Sequence, residues 1–401
     1  MSKKKFLLDS LLNIISMAIP IMVLQLFTLP SIGRDLGSEQ YGIVVTFISL
    51  FTVVSFPFGN VLNNVRLLLD HEYTKKKYSG DFNILLVSSL VISTIMLIIG
   101  TIYYDGHFSM GSILFIVIIG ALNLAREYLS VSFRLQLNYR LILMNNVMLS
   151  IGYFLGTILF QYMEIWQFVF VAGYGLSLIH IVIHTNLYME PLKFTALFKS
   201  TTYKSIILLC SSLLRNVLSY ADKLLLFPLL GPTAVTIYYT ATIVSKIMLM
   251  AITPINGVIL SYIARMEKIN LRTFISIIVM TGFIGMIGYM ITIFVSPFVL
   301  NTFYTSWAAE SLKYIYITTA IGIVEMIISV INPFILKFND INWQILINGS
   351  NIVVYTISTF LLFREYGLMG FCIGIFISST YQLLFMIGIF IVSNRRKNLA
   401  N

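Results

Sequence analysis

The sequence predicts an all-α integral membrane protein of about twelve transmembrane helices, and three observations carry that prediction. Of its 401 residues 58% are hydrophobic and 10% charged, with a mean hydropathy of +0.91; soluble domains carry roughly 25% charged residues. Apolar runs of the roughly 20 residues that a bilayer requires recur from one end of the chain to the other. The basic residues between those runs fall almost wholly on alternate connections. Irregular backbone and open sheet edges cannot face lipid, because their polar groups would stay unpaired, so the spans are read as helices.

In order, the spans are 11–30, 41–62, 82–104, 109–131, 141–163, 166–187, 205–229, 233–262, 273–299, 312–335, 343–363 and 367–392. The first follows the basic stretch Met1 to Lys5, holds Pro20 and lacks a small-residue cleavage site, so it is read as a retained span rather than a signal peptide. The second carries Pro57, Asn60, Asn63 and Asn64, with Arg66 just beyond its inner end. The fourth ends in Asn123, Arg126, Glu127 and Ser130, read as an interfacial pair with its polar neighbours. His180 and His184 in the sixth lie four apart on one face, but two ligands do not make a metal site, and no metal is assigned.

The seventh, eighth and tenth spans hold the ionisable groups at depth. In the seventh, Ser212, Arg215, Ser219 and Asp222 follow the three-and-four spacing of one helical stripe. The eighth repeats the pattern with Thr242, Lys246 and Thr253, and the tenth with Thr318, Glu325, Ser329 and Asn332. Charges at membrane depth are costly and face the bundle interior or water. Three such stripes predict a hydrated pathway, with Arg215, Lys246 and Glu325 read as functional groups on it rather than as structural ion pairs. Glu325 and Asp222 are the candidates for ion coupling. Pro254 and Pro333 kink the eighth and tenth spans as Pro20 and Pro57 kink the first two. Cys210 and Cys372 both fall within spans and are read as small buried hydrophobes.

Orientation follows from Lys and Arg. With the N-terminus inside, twenty basic residues lie on inner segments, among them Arg66, Lys75 to Lys77, Arg134, Arg140, Lys193, Lys199, Lys204 and Arg395 to Lys397. Only Arg34, Lys313 and Arg364 lie outside. Both termini are therefore expected in the cytoplasm. The net charge of +10 records this topology; spread over seven inner segments, it forms no nucleic-acid footprint.

The connections are too short for a soluble catalytic domain. The sequence shows no paired carboxylates at helical spacing, no Cys-x-x-Cys, no Gly-x-Ser-x-Gly elbow and no phosphate-binding glycine loop. The chain is read as a transporter without a cofactor, driven by an H+ or Na+ gradient or by the gradient of its substrate, and not as an enzyme. Membrane lipids are its surroundings. A membrane-embedded polymerase or acyltransferase is the enzymatic alternative, and it normally needs a large outer loop or a catalytic His or carboxylate cluster.

The two halves echo each other. Pro30, Tyr41 and Pro57 are followed by Pro228, Tyr238 and Pro254 at offsets of 198, 197 and 197, as expected of parallel repeats around a central site. The expected organisation is an N-terminal lobe over 1–187, a cytoplasmic linker over 188–204 and a C-terminal lobe over 205–401.

The stretch Ala221-Asp222-Lys223-Leu224-Leu225-Leu226-Phe227-Pro228-Leu229-Leu230-Gly231, with Tyr238-Tyr239-Thr240-Ala241, resembles the start of the second half of Wzx-type oligosaccharide flippases. So does Leu29-Pro30 through Leu36-Gly37-Ser38-Glu39-Gln40-Tyr41-Gly42. These flippases belong to the superfamily of multidrug, oligosaccharidyl-lipid and polysaccharide exporters. The resemblance implies a V-shaped bundle of two six-helix lobes around a central cavity in a bacterial cytoplasmic membrane. It implies undecaprenyl-pyrophosphate-linked oligosaccharides as substrates, turned to the outer leaflet for capsule, O-antigen or related polymers. A polysaccharide polymerase and glycosyltransferases would then be partners. Arg215 and Lys246 would bind the pyrophosphate, and Arg66 with Asn60 and Asn64 would receive the head group at the inner mouth. A drug and ion antiporter of the same superfamily, which also fits the architecture, is the alternative.

Overall fold

The computed structural model describes the backbone of residues 3–105, 109–264, 270–338 and 342–399. The described residues are almost entirely helical and contain no strand. The helices are α1 (Lys3–Val23), α2 (Leu29–Lys76), α3 (Asp81–Asp105), α4 (Met110–Leu129), α5 (Val131–Leu135), α6 (Tyr139–Met163) and α7 (Gln167–His184). They continue with α8 (Phe198–Leu230), α9 (Pro232–Ala264), α10 (Leu271–Phe303), α11 (Ala308–Leu312), α12 (Ile315–Phe338) and α13 (Asn342–Leu399). A π-helical turn, Leu24–Thr28, joins α1 to α2 just beyond Pro20, where the helical ladder has lost a donor.

Eight helices among the described residues are long and apolar enough to cross a membrane. Two of these are each a pair of spans. Gly37 (φ 77°, ψ 176°) interrupts α2 and Gly367 (φ 55°, ψ −134°) interrupts α13, conformations that glycine adopts without a Cβ penalty. With those breaks, and with α8 and α9, each of the twelve expected spans falls on these helices, several of which run well beyond the expected span, α2 as far as Lys76 and α8 from Phe198. The chain is a multi-pass α-helical membrane protein.

By packing, the chain divides into two compact units, Met1–Val235 and Thr236–Asn401. The boundary falls about thirty residues beyond the expected linker, 188–204. Helix α8 begins within that segment, lies against α2 and α3, and belongs to the first unit.

Within the first unit, α6 and α7 meet at small residues. A Cβ on Gly152 would lie 2.5 Å from both the Ala172 carbonyl oxygen and the Gly173 Cα, and one on Gly156 would lie 2.5 Å from the Val169 Cα. Close backbone approach of this kind is how helices associate where lipid removes the hydrophobic drive. The core of this unit lies where α2, α3, α4 and α5 converge, around Val65, Tyr73, Phe82, Tyr128 and Phe133. In the second unit Phe274 stacks on Phe390 with ring centroids 3.7 Å apart, and Phe334 meets Phe274 edge-on. Cys372 is buried as expected, whereas Cys210 is exposed on α8.

The repeat has a structural counterpart. Gly37 joins the first two spans of one half and Gly231 (φ 82°, ψ 174°) joins α8 to α9 in the other, and their backbones are nearly the same. Tyr41 and Tyr238, the matched aromatics that follow them, are both buried.

Candidate functional site

The polar residues of the first unit form two networks built on α2. In the first, Arg66 makes a forked pair with Glu190, Nη1 to Oε2 at 2.9 Å and Nη2 to Oε1 at 2.6 Å. Its guanidinium carbon sits 4.8 Å from the Phe82 ring centre. Asp81, fully buried, accepts from the Tyr73 hydroxyl at 2.8 Å and from the Thr195 backbone N–H at 2.8 Å. The Asn83 amide donates to the carbonyls of Leu187, Tyr188 and Glu190. These bonds clamp the segment after α7 onto the facing ends of α2 and α3. Gly80 (φ +113°) completes the clamp, because a Cβ there would press on the Pro191 and Lys193 carbonyl oxygens.

Arg66 is therefore occupied. Its side chain is 8% exposed and its charge is matched by Glu190, so it stands apart from Asn60 and Asn64, with which the sequence grouped it. What holds it is a carboxylate 124 residues away, which no local spacing reveals.

The second network runs along the facing sides of α2, α4 and α5. Asn123 donates to the Ser55 hydroxyl at 2.7 Å, and Arg126 pairs with Glu127 and lies 5.3 Å from the Tyr174 ring centre. The expected interfacial pair is thus packed inside the first unit, with side chains 12% and 17% exposed. Asn63 donates to the Glu127 carbonyl at 2.8 Å and to the Ser130 hydroxyl at 3.1 Å, and Asn64 donates to Asn60 Oδ1 at 2.9 Å. The Asn63 and Asn64 carbonyls then both accept from Arg134 Nη1, at 2.7 Å and 3.0 Å. The cation that meets the asparagines is Arg134.

On α8, Arg215 and Ser219 lie on the exposed face. Arg215 is the eighteenth residue of a 33-residue helix, and among the described residues its guanidinium enters no ion pair or hydrogen bond. Asp222 binds the neighbouring Lys223, Oδ1 to Nζ at 2.5 Å, with the ammonium 5.3 Å from the Tyr220 ring centre. This pair sits near the end of α8.

In the second unit, Lys246 is half-buried on α9 with its Nζ 5.3 Å from the Tyr239 ring centre. Thr242 bonds back to the Tyr239 carbonyl at 2.8 Å; the side chain of Thr253 lies outside the described residues. The stripe on α12 divides. Glu325 and Ser329 face outward from the unit, whereas Thr318 turns to the Ala241 carbonyl at 3.1 Å and Asn332 accepts from Gln344 at 3.0 Å.

No family model matches the chain, and no curated protein matches it. Among solved structures, a multidrug resistance MATE family transporter of the MOP superfamily in an outward-facing conformation is 14% identical at a TM-score of 0.64, covering 97% of this chain and 95% of its own. The inward-facing conformation of such a transporter gives 13% and 0.62, covering 96% and 98%. The lipid II flippase MurJ, in an inward closed conformation, is 13% identical at a TM-score of 0.66, covering 96% of this chain and 86% of its own. The fold of this chain is the fold of these transporters. At such identities the likeness extends to fold, and the twelve-span reading is consistent with it over nearly the full length.

Proposed function

We propose that the chain is a flippase that moves undecaprenyl-pyrophosphate-linked oligosaccharide repeat units from the inner to the outer leaflet of a bacterial cytoplasmic membrane, coupled to an ion gradient. The observation that carries the proposal is Arg215. An exposed guanidinium midway along a long membrane helix, with no counter-charge among the described residues, is costly in lipid by several kcal/mol or more. Water and an anionic solute relieve that cost. Lys246 on α9 adds a second cation, and Arg215 can fork onto a phosphate where Lys provides a point charge. Glu325 on the outward face of α12 is the proposed coupling group. Arg66 is assigned instead to the clamp.

A drug and ion antiporter is the second reading, favoured by the fold likeness to multidrug transporters. The exposed guanidinium of Arg215, which meets no carboxylate among the described residues, disfavours a cationic drug. The experiment is deletion of the gene in its host, with radiolabelled sugar precursor followed into lipid and polymer. Flippase loss accumulates lipid-linked repeat units on the inner leaflet and removes the surface polysaccharide. Unchanged polymer with increased retention of cationic drugs selects the antiporter.

A further inference from the structure

We infer that Arg134 is a docking residue for the phosphate of an amphiphilic substrate, held ready by Asn63 and Asn64 at the end of the first unit where α2, α4 and α5 meet. The inference rests on the flippase reading above and adds to it a residue that neither the charge stripes nor the repeat selects.

The argument begins with compensation of charge. Arg66 and Arg126 each pair with a carboxylate. Arg134 is exposed, and among the described residues it forms no ion pair; its partners are two neutral carbonyl oxygens. Neutral acceptors orient a guanidinium without cancelling its charge.

The orientation is over-determined. The Asn63 amide nitrogen is committed to the Glu127 carbonyl and the Ser130 hydroxyl, and that of Asn64 to Asn60 Oδ1. Neither amide can turn without losing those bonds, so both carbonyls stay aimed at one nitrogen of Arg134. Only Nη1 is engaged. The edge formed by Nε and Nη2 carries no hydrogen bond among the described residues, and that edge is the parallel pair of donors that grips two oxygens of a phosphate.

A second observation points to an amphiphile rather than a soluble anion. Leu137, three residues on, holds φ +51°, its N–H donates to the Arg134 carbonyl at 3.1 Å, and its side chain is 62% exposed. A left-handed conformation is uncommon for a residue other than glycine. Here it keeps an aliphatic group in the open on the same turn as an uncancelled cation. A phosphate carried on a hydrocarbon chain matches both.

Such a phosphate belongs either to an isoprenoid-linked substrate or to an ordinary anionic phospholipid, and the test separates them. Full-length protein in phosphatidylcholine nanodiscs is titrated with undecaprenyl pyrophosphate, with inorganic pyrophosphate and phosphatidylglycerol as competitors. The inference predicts that Arg134→Ala weakens binding about ten- to a hundredfold, the range of one charge-assisted hydrogen-bonded contact, and that Arg134→Lys recovers only part. Neither competitor displaces the isoprenoid at equal mole fraction. Arg134→Lys keeps the charge at an exposed position, so it decides the matter should the alanine variant fail to insert. Wild-type affinity in Arg134→Lys, or in a correctly inserted Arg134→Ala, overturns the inference, as does equal displacement by phosphatidylglycerol. If Arg215→Ala loses binding while the Arg134 variants do not, the inference alone is wrong; if the wild type itself does not bind, the flippase reading falls with it.

Discussion

Removing Glu190 separates a structural Arg66 from a substrate-binding one. Arg66 and Glu190 are 8% and 14% exposed at their side chains and share two hydrogen bonds. Glu190 also accepts from the Gly80 backbone N–H at 3.4 Å. Glu190→Ala leaves a buried guanidinium without a counter-charge, and breaking one side of such a pair costs about 3–5 kcal/mol. Replacing both partners by apolar residues of similar volume, Arg66→Met with Glu190→Leu, removes the attraction together with the desolvation penalty and is often near neutral. The expected pattern is two strongly destabilised single variants and a double variant within about 1–2 kcal/mol of wild type. The coupling is read as a double-mutant cycle from reversible unfolding of the purified protein in bicelles, with flipping measured in parallel. If the clamp is structural, the double variant flips at the wild-type rate. A double variant that folds normally but does not flip would refute this and return Arg66 to the head-group site.

Three further outcomes follow from the same structure. Gly80→Ala combines a strained φ with pressure on the Pro191 and Lys193 carbonyls, and it should lower stability by about 1–3 kcal/mol or more, measured in the same unfolding assay; an unchanged midpoint would mean that the segment after α7 is free to shift. Glu325→Gln keeps size and hydrogen bonding while removing charge, so flipping should lose its dependence on the ion gradient; a normal rate with normal gradient dependence rules out a coupling role. Single cysteines near Asp105, Gly231 and Arg364, in a background lacking Cys210 and Cys372, should react with an impermeant reagent from outside, whereas cysteines at 193–204 should not, and the reverse pattern overturns the topology.

The fold was legible in the sequence because membrane helices announce themselves by length and hydropathy, and each expected span falls on a helix. The glycine turns were less so. Gly37 and Gly231 share a backbone conformation but lie 194 apart, off the 197–198 offset of the aligned prolines and tyrosines. The polar sites divide by the range of their contacts. Helical spacing grouped Arg215 with Ser219 and Glu325 with Ser329, and the members of each pair share an exposed face of their helix, because spacing along one helix sets that. It could not show that Thr318 and Asn332 turn to α9 and α13, nor that Arg66 is taken by Glu190 or that Arg134 meets Asn63 and Asn64. Each of those is a tertiary contact, and in all but one case the partners are more than thirty residues apart in sequence.

The central claim is that Arg215 and Lys246 carry an anionic lipid-linked sugar through the membrane. Its most direct test is a flipping assay in proteoliposomes with a fluorescent undecaprenyl-pyrophosphoryl oligosaccharide, comparing wild type, Arg215→Ala, Lys246→Ala and Arg215→Lys. The account predicts gradient-dependent flipping by the wild type, loss of most of it in both alanine variants, and partial recovery with Arg215→Lys. Wild-type rates in both alanine variants, or a wild type that moves a radiolabelled organic cation and not the lipid-linked sugar, would contradict it.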